Sequence, residues 1–256
     1  METEIDQFQV FFFPFMGRGN LIPTIDTAKL FSSKDLRSTI ITTSHFEPFL
    51  SQLIEVAKVL GAQIDILTIR FPASEVRPPE EVESFHMADT PEMQQRFIKA
   101  CGKLGPQLDQ LLKQHRPDVL VANMFFPWPT DVAAAHRIPC LFLHGMSYFA
   151  LCASTCLNMY KPHNKVSSDL EHFVIPNLPD EIEFTRSRVA EFEKRDDVSE
   201  LEKFFKATKE VELKIYGVLL KSFYELEPAY ADYYSKVLGR LAWHVGPLFL
   251  YDKGFD

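Results

Sequence analysis

Two asparagines, Asn20 and Asn123, stand where a chain of this pattern presents reactive groups, and neither side chain takes a proton near neutral pH. The stretch "FFFPFMGRGNLIPTIDTAKLF" reads as a buried strand, a glycine-punctuated loop and a helix, with Asn20 at the turn into the helix. Asn123 stands at the end of the apolar run 119–122, where the loop "NMFFPWPTD" begins. Paired amides are hydrogen-bond donors, so the chemistry open to them is polarisation of a carbonyl, as in an oxyanion site. Arg18, in the same glycine loop, is a candidate electrostatic group, and His144, which follows the run 140–142, is a candidate acid or base. Each has a plainer reading. Asn20 is placed to N-cap a helix over 23–31, with Pro23 tolerated in its first turn, and a cap does not prevent a functional role. A single histidine at a strand end, such as His144 or His45 after "TIITTS", is more often a hydrogen-bonded structural residue.

Other chemistries find little support. "GRGN" lacks the third glycine of a dinucleotide loop, and "TIITTS" carries no acidic residue where the ribose would need one. No GxxxxGK[ST] is present, which excludes a P-loop. The four cysteines, Cys101, Cys140, Cys152 and Cys156, form no CxxC pair and have no close histidine, so neither a zinc site nor a disulfide framework is expected. Cys152 and Cys156, four residues apart, share a helix face and read as buried thiols in a reducing compartment. No metal and no cofactor are expected. With a net charge of −8 and no basic runs, the chain is not expected to bind nucleic acid. No segment approaches the roughly 18 apolar residues of a membrane span, and the acidic start "METEIDQFQV" lacks an apolar signal core, so the expected location is cytoplasmic.

The elements that must position these residues alternate. Strand-like runs at 10–13, 39–41, 64–69, 119–122 and 140–142 are separated by helical patterns at 23–31, 48–60, 91–113 and 130–136, with another at 148–159. Strands apolar on both faces, alternating with helices, predict an α/β fold: a Rossmann-like parallel sheet covered on both sides. From residue 160 to 184 the sequence reads as an extended polar surface segment. A charged helix comes next, closed by Gly217, then the strand "VLLKSF", a helix closed by Gly239 and a last strand in "AWHVGPLFL". Residues 1–256 are expected to form one Rossmann-like domain, with a linker starting at about 243. Ligands of such sheets bind beyond the carboxyl ends of the strands. The loops "PFMGRGN" and "NMFFPWPTD" therefore open on one cleft. Its candidate lining is Phe15, Met16 and Gly19 from the first loop and Phe125, Phe126 and Trp128 from the second. Met146 and Tyr148 come after the 140–142 run, and the aperiodic segment "ASEVRPPEEVESFHMADT" is a further pocket loop. The 23 phenylalanines fit a large core and an aromatic-lined apolar pocket.

These residues carry a resemblance. "FFPFMGRGNLIPTIDTAKLFSS", "PDVLVANMFFPWPTDVAA", "IPCLFLHGMSYFALC", "IPNLPDEIEFTR" and "SFYELEPAYADYYSKVLGRLAWHVGP" together resemble plant family 1 UDP-glycosyltransferases of the triterpenoid, steroid and flavonoid subgroup. The resemblance implies the acceptor-binding N-terminal half of a GT-B fold. It also implies a chain that stops near the interdomain linker, without the C-terminal UDP-sugar-binding domain and its donor signature. In the family a histidine follows the loop glycine and an aspartate precedes "MFFPW"; here those positions are Asn20 and Asn123. A glycosyltransferase-like protein is therefore expected, one that binds a hydrophobic plant metabolite without transferring sugar or that has been redirected to isomerisation or cyclisation. The alternatives are the N-terminal half of a UDP-glucose-dependent transferase and a regulatory partner of full-length relatives. The expected partners are the metabolite and either a second copy of the chain or an intact relative.

Overall fold

Val10 to Phe13 offer no polar side chain to either face of a sheet, and all four are fully buried in strand β1 (Gln9–Phe13). The computed structural model describes residues 7–72, 83–194, 199–212 and 214–248, which form two compact units. The polar tail from 249 on and residues 73–82 of the aperiodic loop lie outside the described residues. One unit runs to Leu143 and takes in Val211–Tyr216; the other comprises His144–Glu210 and Gly217–Pro247.

In the first unit β1 pairs in parallel with β2 (Arg37–Thr43) and β4 (Val119–Asn123). β3 (Ile64–Ile69) adds to β2, and β5 (Cys140–His144) adds to β4. The order β3-β2-β1-β4-β5 reverses direction between β1 and β4, which is the topological switch point where open α/β sheets hold ligands. The register sets Phe13 beside Ala122, so the loops that leave β1 and β4 emerge together. Helices α1 (Arg18–Ser32), α2 (Glu47–Val59), α3 (Pro91–Gly102), α4 (Gly105–His115) and α5 (Pro129–Ala135) make the connections.

Two helices differ from expectation. α1 begins five residues ahead of Pro23, with Gly17 at the cap position and no side-chain cap, so Asn20 is a first-turn residue and not the cap. Pro23 is accommodated because it deprives only the carbonyl of Gly19, an exposed residue that water can reach. The helical pattern over 91–113 is two helices. Lys103 and Leu104 close α3 with tight bonds to the carbonyls of Ala100 and Cys101, and Pro106, without an N–H, opens α4.

In the second unit α6 (Tyr148–Tyr160) packs Ala153, Cys156 and Leu157 against Phe173, Ile175 and Val189. The stretch expected to be extended surface holds an antiparallel hairpin, β6 (His172–Ile175) with β7 (Ile182–Thr185). Its cause is a short alternation: Phe173 and Ile175 face the core while His172 and Val174 face water. The short helix α7 (Glu191–Lys194) and the charged helix α8 (Glu200–Glu212) come next. β8 (Gly217–Leu220) and β9 (Ala242–His244) pair in parallel, with α9 (Pro228–Asp232) between them. Gly239 has φ 64°, as its helix-closing role requires.

Gly217 is not the helix cap that the sequence predicts; it is the first residue of β8, against its neighbour strand. A Cβ there would lie 2.5 Å from Trp243 and 2.9 Å from the carbonyl oxygen of Leu241. Because one obstacle is backbone, the strand pair itself must shift to make room. Gly217→Ala is expected to lower stability by about 1–3 kcal/mol, the usual range for overpacking, as read from the urea midpoint. An unchanged midpoint would show that the strands separate freely.

All four cysteines are free and buried. Burial pushes the Cys140 and Cys152 thiols up to about 12, so they remain protonated at any physiological pH.

Candidate functional site

Asn123 closes β4 at 7% exposure, and its side chain is held from two directions. Its Oδ1 accepts the backbone N–H of Phe125 at 3.0 Å, and its Nδ2 donates to Asn20 Oδ1 at 3.1 Å. The order of these bonds is dictated by chemistry. A backbone N–H can only donate, so the oxygen of Asn123 must face Phe125 and its amino group must face Asn20. Asn20 must then accept with its oxygen, which leaves its own Nδ2 as the outward-facing group. Among the described residues that Nδ2 has no acceptor. A backbone donor two residues beyond β4 thus fixes a hydrogen-bond donor at the tip of the first loop. The pair can hold or polarise a ligand oxygen; it cannot remove a proton.

The surroundings are apolar and aromatic. Phe15 lies 5.2 Å from Phe126 and 5.4 Å from Phe125, and Phe126 stacks on Phe13 at 4.7 Å, all between ring centroids. Trp128 packs on Phe13 and Phe126, and its buried indole nitrogen has no acceptor among the described residues. Met16 and Phe126 are fully buried and support the loops from beneath, whereas Phe125 and Trp128 are partly accessible. Gly19 is exposed, and apart from its chain neighbours a Cβ there would meet nothing within 4 Å.

The remaining candidates go elsewhere. Arg18 places its guanidinium 4.9 Å from the centre of the Phe49 ring, a cation–π contact with α2. His45 is exposed and stands edge-on to Phe46. His144 is fully buried and, with Met146 and Tyr148, is assigned to the second unit. There the Glu227 carboxylate accepts the backbone N–H groups of both Tyr148 and Phe149, capping α6 from a distant part of the chain. Burial, reinforced by that carboxylate and Cys152, pushes the Tyr148 phenol above its usual range.

The structure also brings in residues that the sequence did not single out. A short 3₁₀ turn, Phe85–Met87, lies near Gly17 of the first loop. A Cβ on Gly17 would be 3.7 Å from His86 Cδ2, 3.7 Å from Ser84 Oγ and 3.9 Å from Asn20 Nδ2. His86 thus borders the same small space as the free amide of Asn20. Phe85 packs on the buried Phe97, which also contacts Phe15, so one ring ties this turn to the first loop. Among the described residues no group of three or more His, Cys, Asp or Glu side chains is placed to hold a metal ion. Nor is any described helix long and apolar enough to cross a membrane.

The chain is 48% identical over its full length to the UDP-glucose flavonoid 3-O-glucosyltransferase 7 of Fragaria ananassa, of which it covers 51%. It is 44% identical over 98% of its length to the scopoletin glucosyltransferase of Nicotiana tabacum, of which it covers 52%. Among solved structures it superposes on UGT73P12 of Glycyrrhiza uralensis, complexed with glycyrrhetinic acid 3-O-monoglucuronide. That superposition has a TM-score of 0.84 and 32% identity and covers 97% of this chain and 51% of the other. No protein-family model matches the chain. Along its whole length the chain is similar to plant UDP-glycosyltransferases, and it spans about half the length of the curated relatives it matches. Its fold is that of the N-terminal half of a GT-B glycosyltransferase.

Proposed function

We propose that this chain, similar throughout to half of a plant UDP-glycosyltransferase, binds a hydroxylated aromatic or terpenoid metabolite beyond β1 and β4 and does not itself transfer sugar. The observation that carries this reading is the Asn20–Asn123 amide pair. It occupies the switch point of the sheet, sets the Asn20 Nδ2 close to Gly17 of the first loop, and contains nothing that titrates near neutrality. A ligand class is suggested by the relatives, whose names specify flavonoids and the hydroxycoumarin scopoletin. The partly accessible Phe125 and Trp128 provide an apolar lining suited to such rings.

The test uses the purified chain with scopoletin, with and without UDP-glucose. Equilibrium dialysis should show bound scopoletin, and mass spectrometry should show no hexose added. A UDP-glucose-dependent gain of one hexose would overturn the reading. A product of unchanged mass and new retention, formed without sugar nucleotide, would place the chain among redirected enzymes that isomerise or cyclise their ligand.

One observation favours a second reading. Because the chain spans about half of its relatives, it fits the acceptor half of a conventional transferase. Fusion to the remaining half of the Nicotiana relative separates the two. A fusion that glucosylates scopoletin with Asn20 and Asn123 in place supports the conventional reading. One that does so only after Asn20→His and Asn123→Asp supports ours.

A further inference from the structure

We propose that His86 is the proton acceptor of this site, taking the proton of a ligand hydroxyl that Asn20 holds by its oxygen. This rests on the reading of the cleft as a metabolite pocket and adds a proton transfer to it. A hydroxyl bound for ionisation needs a donor to its oxygen and a base for its hydrogen. The amide pair supplies the first and cannot supply the second. Gly17 is buried and has no side chain, and the methyl-sized space this leaves is bordered by Asn20 Nδ2, Ser84 Oγ and Cδ2 of the His86 ring. Of these three groups, the imidazole is the one with a basic nitrogen lone pair that can take up a proton.

The turn that carries His86 is closed by its own backbone bonds. The Met87 N–H donates to the Ser84 carbonyl and the Ala88 N–H to that of Phe85, which closes the turn. Gln94 Nε2 donates to the Ala88 carbonyl, and Thr90 caps α3 just beyond. Phe85 and Phe15 meet the same Phe97 ring, at 6.0 and 5.7 Å, so the turn and the first loop share one buried support. His86 itself is exposed, hence open to a ligand. The other candidate groups are directed away, Arg18 onto Phe49 and His45 onto Phe46.

In the step, the ligand O–H bond breaks and its proton forms an N–H bond with the unprotonated ring nitrogen. Both electrons of the broken bond stay on the oxygen. The products are an imidazolium and an oxyanion, the latter retaining the Asn20 N–H, and no oxidant or second reactant is consumed.

Scopoletin is a suitable probe because a phenol's absorption moves to longer wavelength on ionisation. Binding is measured by dialysis and ionisation by the spectrum of the bound ligand at neutral pH, for the wild-type chain, His86→Gln and Asn20→Ala. His86→Gln should still bind scopoletin, with the ratio of bound phenolate to phenol reduced about tenfold or more, one pKa unit of the ligand. Asn20→Ala should reduce the same ratio by removing the donor to the oxyanion. An equal ratio in wild type and His86→Gln would overturn the assignment, as would a wild-type complex holding only neutral phenol; either result leaves the binding reading standing. Failure of the wild-type chain to bind scopoletin would overturn the binding reading and this one with it.

Discussion

Phe97→Ala should destabilise the first unit by about 3–5 kcal/mol, the usual cost of emptying a buried aromatic site. Phe97 is fully buried on α3, stacks on Phe71 at 5.5 Å and meets Phe15 and Phe85 edge-on. Truncation removes the ring's burial and strips three aromatic neighbours of their partner. Each such pair contributes about 0.5–1.5 kcal/mol beyond its area. The loss has a functional side as well. Phe15 supports the first loop and Phe85 the turn that carries His86, so removing their shared ring should loosen both borders of the gap at Gly17. In a urea titration the midpoint should fall sharply, and scopoletin binding to the remaining folded protein should weaken. Phe97→Leu, which refills most of the volume, should recover more than half of the stability. A change below about 1 kcal/mol for Phe97→Ala would mean that the cluster is not the support described, since values that small belong to surface sites.

The first unit was legible in the sequence because its strands are apolar on both faces. Ile64–Ile69 is a strand with the boundaries read from the sequence, and β1 differs by one residue. From the strands came their carboxyl ends as the place where a ligand would bind, and with them the neighbourhood of Asn20 and Asn123; the switch point came from the strand order of the structure. Where the structure departs from expectation, local rules met longer-range facts. Asn20 ahead of Pro23 has the chemistry of a cap, but the chain turns into helix at Gly17, and the helix accepts a proline whose missing bond faces water. Gly217 has the chemistry of a helix stop, yet Trp243 and Leu241 crowd it from a strand more than twenty residues away. His86 left no periodic signal at all. Its turn lies between proline-bounded segments, and its neighbour in space, Gly17, is nearly seventy residues earlier. The orientation of the amide pair was equally hidden, because it descends from one backbone N–H, that of Phe125.

That orientation makes Asn123→Asp a sharper test than any truncation. One carboxylate oxygen would keep the Phe125 N–H, and the other would face Asn20, where the wild-type chain has an amino group. Asn20 must then turn its Nδ2 inward to donate, and its carbonyl oxygen comes to face the ligand. A donor at the loop tip becomes an acceptor, without change of volume. A ligand hydroxyl held by its oxygen would lose the wild-type N–H bond, and it could bind the new acceptor only by turning its O–H from His86 to the Asn20 carbonyl. Scopoletin affinity should fall about 10- to 100-fold, the equivalent of about 1.5–3 kcal/mol for a lost and reversed polar contact. Asn123→Ala should behave differently. It strands the Phe125 N–H and costs about 1–3 kcal/mol of stability, but it leaves Asn20 free to keep its donor outward, so affinity should change only a few-fold. Adding Asn20→His to Asn123→Asp gives a third behaviour. The introduced imidazole donates one N–H to the carboxylate, and that carboxylate holds its second proton to higher pH than in a free histidine. Below that raised value the group is again a donor to the ligand oxygen; as pH rises through it, the outward nitrogen becomes an acceptor. Ligand affinity should therefore be restored on the acid side and fall on the alkaline side, a pH dependence that Asn123→Asp alone does not share. If Asn123→Asp binds scopoletin as the wild-type chain does, Asn20 does not hold the ligand through a donated N–H.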